Sequence, residues 1–311
     1  LGFTRDNIKI KPGFRERYSA LTDFDRFIEV SLEYLRRSVR VNTLKTTISA
    51  VKKSLTKQGW ELKQVPWCKE GFWVKHKTGR RDIGNTIEHA LGYIYVQEAA
   101  SMIPPIVLDP QPGETVLDMC ASPGSKATQI CQYMKNKGIL VANDYKGMRL
   151  APLGINMQRI GATNDVLTVM RGEWFKDMEF DKILVDAPCS GTGTIAKSLK
   201  TLQIWNPNMV TKISNQQKRL IKNAYSLLKK GGIMVYSTCS LEPEENEGVV
   251  SWFLEEEPDA KVLDIKLDIQ SGDPITSFEG VDYNPEVKKT LRLWPQDNNT
   301  EGFFIAKLRK I

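Results

Sequence analysis

The chain has 311 residues, 41% of them hydrophobic, and a net charge of +7, enough apolar material for one large domain or a large domain beside a small one. No apolar run reaches the roughly 18 residues of a membrane-spanning helix, and Leu1-Gly2-Phe3-Thr4-Arg5-Asp6 lacks the basic-then-apolar order of a signal peptide. Five irregularly spaced cysteines, no Cys-x-x-Cys and only two histidines, His76 and His89, argue against a disulfide framework and a zinc site, so the expectation is a cytoplasmic protein with free thiols and no metal.

In chain order, Phe14, Tyr18, Leu21, Phe24, Phe27, Ile28, Val30, Leu32 and Leu35 predict helix over 13–39. Residues 38–45 alternate like a strand. Residues 46–59 read as a helix with Thr47 as N-cap, and strand-like stretches follow at 60–65 and 71–75. This order predicts a helical segment and a small α+β module over 1–81, and a second domain over 82–311. Residues 1–81 hold 19 Lys and Arg against 8 Asp and Glu, whereas residues 82–311 hold 25 against 29. The positive excess therefore belongs to the first unit. Clustered cations suit a polyanion such as RNA; a solvated lysine-rich face is the plain alternative.

From Thr86 onward strands alternate with helices. Strands are expected near 115–120, 139–144, 165–169, 182–187, 232–237 and 303–308, and helices near 97–107, 125–135, 148–160, 212–229 and 244–256. Runs such as Ile183-Leu184-Val185 and Ile233-Met234-Val235 are apolar on both faces, the mark of a parallel sheet covered by helices. The run 302–308 is expected to return antiparallel. In such folds ligands bind at the carboxyl edge of the sheet, and three apolar runs here end in turns rich in Gly, Pro and Ser.

The first of these, Asp118-Met119-Cys120-Ala121-Ser122-Pro123-Gly124-Ser125-Lys126, is a tight loop opening a helix, neither Gly-x-Gly-x-x-Gly nor a P-loop. The next strand ends in Asn143-Asp144, and an acid there can accept both ribose hydroxyls of an adenosine cofactor. NAD and S-adenosylmethionine fit this equally, and a plain turn residue is the bland reading. The edge Asp186-Ala187-Pro188-Cys189 has the shape of the Asp/Asn-Pro-Pro-aromatic motif with which amino-methyltransferases hold a base, but with cysteine for the aromatic. The change has a chemical reason. C5 of a pyrimidine has no lone pair for a methyl group; a thiolate adding to C6 makes C5 nucleophilic, and the reaction then needs an acid near N3 and a base for the C5 proton. A second cysteine, Cys239, closes Ser237-Thr238-Cys239-Ser240.

With these motifs the chain resembles the Sun family of S-adenosylmethionine-dependent RNA 5-methylcytosine methyltransferases. Arg40-Val41-Asn42-Thr43-Leu44-Lys45, Gln97-Glu98-Ala99-Ala100-Ser101-Met102, Asp118 to Lys126, Asp186 to Gly193 and Ser237 to Glu247 carry the resemblance, which covers nearly the whole chain. It implies a Rossmann-like class I methyltransferase with a mostly parallel seven-stranded sheet, preceded by a small RNA-recognition-like α+β domain. It implies Cys239 as nucleophile, Cys189 assisting proton removal and product release, and Asp186 desolvated so that it can donate a proton to the cytosine ring near N3. Lys126 would favour a thiolate. Cys120, Ala121, Ser122, Pro123, Gly124, Ser125, Lys126, Asp144, Arg149 and Asp186 would hold S-adenosyl-L-methionine, and Arg40, Asn42 and Lys45 would contact RNA. Two positions depart from the pattern: Arg171 stands where the family has an aspartate near the adenine, and no histidine lies between Arg292 and Gly302.

Bland readings remain for several residues. Cys68 and Cys131 read as core, Trp60, Trp67 and Trp73 as packing of the small module, and the acidic run 242–247 as a helix start. A tRNA is the favoured substrate because no long basic tail is seen. Ribosomal RNA is the alternative, and a non-catalytic RNA-binding or assembly factor is the reading from another class.

Overall fold

The computed structural model describes residues 8–311; the opening segment used for the signal-peptide reading lies outside the described residues. The expected first helix is two helices, α1 (Pro12–Ser19) and α2 (Phe24–Leu32). They break at Asp23, whose carboxylate accepts the Arg26 N–H at 3.1 Å and caps the second. Strand β1 (Arg37–Val41), helix α3 (Ile48–Lys57), strands β2 (Trp60–Val65) and β3 (Cys68–His76), the short helix α4 (Ile87–Ala90) and strand β4 (Ile94–Val96) follow. Thr47 caps α3 as read, accepting from Ala50 N–H at 3.2 Å. The strands form an antiparallel sheet in the order β2-β3-β1-β4. The sheet therefore takes its last strand from beyond the expected end at Arg81; three residues are too few to show alternation.

Helix α3 covers one face of this sheet, burying Val39, Val41, Val51, Leu55, Trp60, Phe72 and Val74. The α1–α2 hairpin does not pack there. Phe14, Tyr18, Phe24 and Phe27 join Ile195, Leu202, Trp205, Leu241 and Trp294 of the second domain in one cluster. The partners of this helical segment thus lie about 170 to 280 positions away in sequence.

The second domain runs through α5 (Ile103–Leu108), β5 (Thr115–Asp118), α6 (Ser125–Met134), β6 (Ile139–Asp144), α7 (Gly147–Ile160), β7 (Asp165–Val169), β8 (Phe180–Asp186), α8 (Lys200–Ile204), α9 (Pro207–Ser226), β9 (Leu228–Thr238), α10 (Glu247–Glu256) and β10 (Ala260–Leu263). The small hairpin β11 (Ser277–Phe278) and β12 (Val281–Asp282), then β13 (Leu291–Leu293), α11 (Pro295–Asn298) and β14 (Phe303–Lys310) complete it. The main sheet has the order β10-β14-β9-β8-β5-β6-β7, with β13 paired to β14 as an eighth strand. Strands β5 to β9 are parallel and β14 is antiparallel to β9. The chain steps from β5 to β6 and β7 on one side, then resumes at β8 on the other. The carboxyl end of β5 is therefore a topological switch point, where such sheets open a crevice.

Candidate active site

The loop after β5 turns through Gly124, whose φ of 106° is cheap only for glycine, and so aims the first turn of α6 at the crevice. Lys126 there is 7% exposed. Its ammonium donates to Asp186 Oδ2 at 2.7 Å and lies 5.1 Å from the centre of the Phe303 ring. Burial works to lower its proton affinity, but the Asp186 carboxylate outweighs it and the net shift is upward, so Lys126 is a fixed cation. Asp186 Oδ1 accepts from the Ser237 hydroxyl at 2.9 Å; the two residues are partners in the β8–β9 register. Asp186 is thus an ion-pair partner with a 27% exposed side chain. The adjacent lysine, sixty residues away in sequence, compensates its charge.

Beyond these paired strands the two cysteine loops meet. Cys189 Sγ and Cys239 Sγ are 3.1 Å apart, both half-buried and both free thiols. The Cys189 proton is held well above the usual thiol range, first by its hydrogen bond to Cys239, then by burial, then by nearby negative charge including Glu245 and Asp186. Either sulfur can donate in this contact. Gly193 lets the loops close. Its N–H donates to Cys239 C=O at 2.9 Å, and a Cβ there would lie 2.4 Å from Gly302 O.

A cleft of about 420 Å³ opens on the β6–β7 side, lined by Cys120, Asp144, Arg149, Arg171, Glu173 and Pro188 among others. Asp144 is buried, its Oδ1 accepts from Lys146 N–H at 3.1 Å, and its Oδ2 lies 3.3 Å from Arg149 without a hydrogen bond. Asp118, at the end of β5, has two buried oxygens without hydrogen-bond partners. Burial first, and repulsion from Asp186 second, push its carboxyl up to about 8. The Asp144 and Glu173 carboxylates, which line this open cleft with an oxygen lacking a hydrogen bond, fit a cofactor that brings hydroxyl and amino donors. Of the residues expected to hold the cofactor, Cys120, Asp144 and Arg149 line this cleft, whereas Lys126 and Asp186 pair with each other outside its lining. Ser122 braces the loop, its hydroxyl donating to Arg149 C=O at 2.6 Å, and Asn156 holds Pro123 C=O at 2.9 Å. Arg171 is turned out, its side chain 54% exposed and its guanidinium 5.5 Å from the Trp174 ring centre, while Glu173 keeps a buried unpartnered oxygen. Sequence reasoning missed Asp118, Ser237 and Glu173; for Ser237 the signal was its pairing with Asp186 across parallel strands.

The residues expected to touch RNA do other work. Arg40 is 1% exposed. Its guanidinium donates to Ser125 C=O at 3.0 Å, Thr128 Oγ1 at 3.0 Å and Gln132 Oε1 at 3.1 Å, and also to Gln97. Buried Asn42 donates to Ile160 C=O at 2.7 Å and Gly92 C=O at 2.8 Å, and Lys45 caps α7 at Arg159 C=O, 2.8 Å. Arg40 and Asn42 cannot meet RNA from these positions. All three clamp the small sheet onto α6 and α7. The exposed cations lie further out, in a groove of about 660 Å³ lined by Arg36, Arg37, Lys63, Lys75, Arg80 and Arg81 against a single acid, Glu61. Arg37, Lys63 and Lys75 make no ion pair among the described residues. Arg36 stacks over Trp73 at 3.8 Å and donates to Asn298 C=O and Asn299 C=O, in the segment leading to Phe303. Trp60, Trp67 and Trp73 are buried as packing residues.

Residues 105–309 match the family model described as 16S rRNA methyltransferase RsmB/F, and residues 11–99 match the N-terminal domain of 16S rRNA methyltransferase RsmF. The chain belongs to the RsmB/F family. It is an S-adenosylmethionine-dependent RNA cytosine-C5 methyltransferase. Among curated relatives of this RsmB/F enzyme, it is 47% identical to a tRNA (cytosine(49)-C(5))-methyltransferase of Pyrococcus abyssi, over 97% of both chains. It is 40% identical to the ribosomal RNA small subunit methyltransferase F of Aliivibrio salmonicida, covering 98% of this chain but 65% of that one. The crystal structure of a methyltransferase homologue from Pyrococcus horikoshii superposes with a TM-score of 0.83 at 38% identity, over 97% of this chain and 100% of that one. Among the described residues no helix is long and apolar enough to cross a membrane.

Proposed function

We propose that this chain methylates C5 of a cytosine in tRNA through a covalent bond from Cys239 to C6, and that Cys189 resolves this bond. The observation that carries the reading is the thiol pair at 3.1 Å, beside the Lys126–Asp186 pair at 2.7 Å. S-adenosylmethionine, held by Cys120, Asp144 and Arg149, supplies an electrophilic methyl group. Cys239, as thiolate beside the Lys126 cation, adds to C6, and the C5–C6 π pair moves onto C5 with Asp186 serving the ring at N3. The pair on C5 then forms the bond to the methyl carbon, whose bond to the sulfonium sulfur would break with its electron pair left on that sulfur. Cys189 next takes the C5 proton; that pair restores the C5–C6 double bond, and the Cys239–C6 pair returns to sulfur. The timing has a physical basis. The bond to Cys239 is the largest contribution holding the Cys189 proton, and it is lost once Cys239 becomes a thioether. Cys189 can then shed its proton to solvent and act as base.

Support for tRNA is the relative matched over 97% of both chains; the ribosomal RNA relative is matched over 65% of its length. The groove bearing Arg37, Lys63 and Lys75 is the surface we assign to RNA phosphates, and Arg36 links it to the wall of the catalytic crevice. Replacing Lys63 and Lys75 by Gln should reduce the salt dependence of RNA binding by about one unit of slope per cation removed and leave thermal stability unchanged. Free thiols at this spacing suit a reducing, cytoplasmic setting. The deciding experiment mixes the protein with S-adenosylmethionine and unmodified tRNA and looks for a denaturation-resistant protein–RNA band. The band should be transient in the wild type, persistent in Cys189→Ala and absent in Cys239→Ala. The reverse pattern would exchange the roles of the thiols, and a band with 16S rRNA alone would move the substrate to ribosomal RNA.

A further inference from the structure

We propose that Glu245 is the positioning residue of the Cys189 thiol, so that losing it stalls resolution of the RNA adduct while leaving its formation intact. The proposal rests on the assignment of attack to Cys239 and resolution to Cys189. Glu245 lies in the turn Pro243–Glu245, between β9 and α10, and is fully buried. Its Oε2 accepts the Ser190 N–H at 3.0 Å and the Gln217 side-chain amide at 2.9 Å, and its Oε1 accepts the Ser240 hydroxyl at 3.0 Å. Among the described residues no lysine or arginine pairs with it. Three neutral donors from three separate segments thus converge on one carboxyl.

The two cysteine loops depend on this group unequally. Cys189 is flanked by Pro188 and Ser190. Pro188 C=O is held by the Gln217 amide at 2.9 Å, Ser190 N–H by Glu245 itself, and Ser190 Oγ by Ser240 Oγ at 3.0 Å. Each of those three tethers begins or ends on a group that Glu245 holds. The Cys239 loop has anchors that do not pass through Glu245. Gly193 N–H holds Cys239 C=O at 2.9 Å, and Asn246 bonds the Thr238 hydroxyl at 2.6 Å and Ser240 C=O at 2.9 Å. Thr192 Oγ1 holds Leu241 N–H at 2.9 Å, and Arg292 holds Leu241 C=O at 3.0 Å. Without Glu245 the nucleophile loop keeps these five bonds, whereas Pro188 and Ser190, the two neighbours of the Cys189 thiol, lose the tethers named above, and the resolving loop is held only further out, at Ala187, Thr192 and Gly193. An amide at 245 keeps one acceptor oxygen instead of two, so the Ser240 hydroxyl must turn from donor to acceptor and its contacts to Ser190 and Thr192 must rearrange with it.

The test follows the covalent band over time with S-adenosylmethionine, using tRNA and 16S rRNA in separate arms, for wild type, Cys189→Ala, Glu245→Gln and Gln217→Met. The expected result is that Glu245→Gln forms the band at the wild-type rate and keeps it about 10- to 100-fold longer, the scale of a thiol misplaced by about an ångström. Methyl transfer in the first turnover stays near wild type while later turnovers slow. Gln217→Met moves the same way by less, and it alone decides if Glu245→Gln fails to melt cooperatively. A merely structural role would weaken formation of the band and S-adenosylhomocysteine binding together, and that result overturns the proposal. So does a Glu245→Gln band that resolves at the wild-type rate while the Cys189→Ala band persists. If the Cys189→Ala band does not persist in either arm, the thiol roles themselves fall, and the positioning role falls with them.

Discussion

The carboxyl edge of the sheet has two sides that are finished to different degrees. Where β8 and β9 end, the polar groups are answered by the protein: Asp186 by Lys126 and Ser237, Ser190 and Ser240 by Glu245, and Thr238 by Asn246. Toward β6 and β7, Asp118, Asp144 and Glu173 each keep a buried oxygen without a hydrogen bond. An unmade bond at a buried carboxylate costs about 1–3 kcal/mol or more. The thiol side is thus set before any ligand arrives, and the other side stores a demand that a cofactor can meet. If so, substitutions on the two sides should separate by what they change: chemistry on one, binding and stability on the other.

The largest effect should come from the group that joins the sides. Lys126→Met removes the cation beside Asp186 and Cys239, and turnover should fall by about 100-fold or more. The readout that distinguishes this from misfolding is the alkylation rate of Cys239 by a small neutral reagent, which should fall across the pH range while binding of S-adenosylhomocysteine changes less. Asp144→Ala tests the opposite side. It should weaken S-adenosylhomocysteine about 10- to 100-fold in calorimetry, the worth of one or two hydrogen bonds to a charged acceptor, with Cys239 alkylation unchanged. Equal losses in both assays from either variant would erase the distinction between the sides.

The unmet carboxyl of Asp118 should be visible in stability. Its value rises from an ordinary 3.8 to about 8. Between these values the folded chain keeps a proton that the unfolded chain has released. That proton favours folding below the ordinary carboxyl range, and the advantage is lost as pH rises toward 8. Glu245 and Glu98, raised to about 7 and about 8, bend the curve in the same direction. Melting of Asp118→Asn should therefore fall less than wild type between pH 5 and pH 8, by a few degrees for a difference of about 1–2 kcal/mol. Parallel curves would mean that Asp118 is not the strained group.

The sequence made the sheet legible because buried parallel strands are written as apolar runs, and each run ended in a turn whose residues carry the chemistry. Cys189, Cys239, Asp186 and Lys126 were found that way and do converge. Arg40 was not legible, because in a single sequence a buried arginine in a basic segment looks like one facing solvent; only the oxygens that α6 turns toward it reveal the clamp. The packing partners of the hairpin α1–α2 were not legible for a similar reason. Its amphipathic spacing says that a face is buried but not against what, and Tyr18 finds its hydrogen-bond partner, Glu242 at 2.7 Å, 224 positions later. The pairing of Asp186 with Lys126 was not legible because the lysine belongs to another strand's loop.

The smallest expected effect concerns Arg171, whose departure from the family pattern drew attention in the sequence. Its side chain is 54% exposed, 3.9 Å from Glu173 and beside Trp174. An exposed pair of this kind is worth about 0–1 kcal/mol, so Arg171→Ala should change S-adenosylhomocysteine affinity by less than about fivefold. Glu173→Gln should cost more, because the carboxylate lines the cleft and its buried oxygen, 3.8 Å from Arg219, makes no hydrogen bond and can still accept one from a ligand. Calorimetry on the two variants ranks them directly. A larger loss from Arg171→Ala would show that the guanidinium, and not the carboxylate two residues on, has taken over the place of the missing acid. The contrast between the two sides would then rest on Asp118 and Asp144 alone.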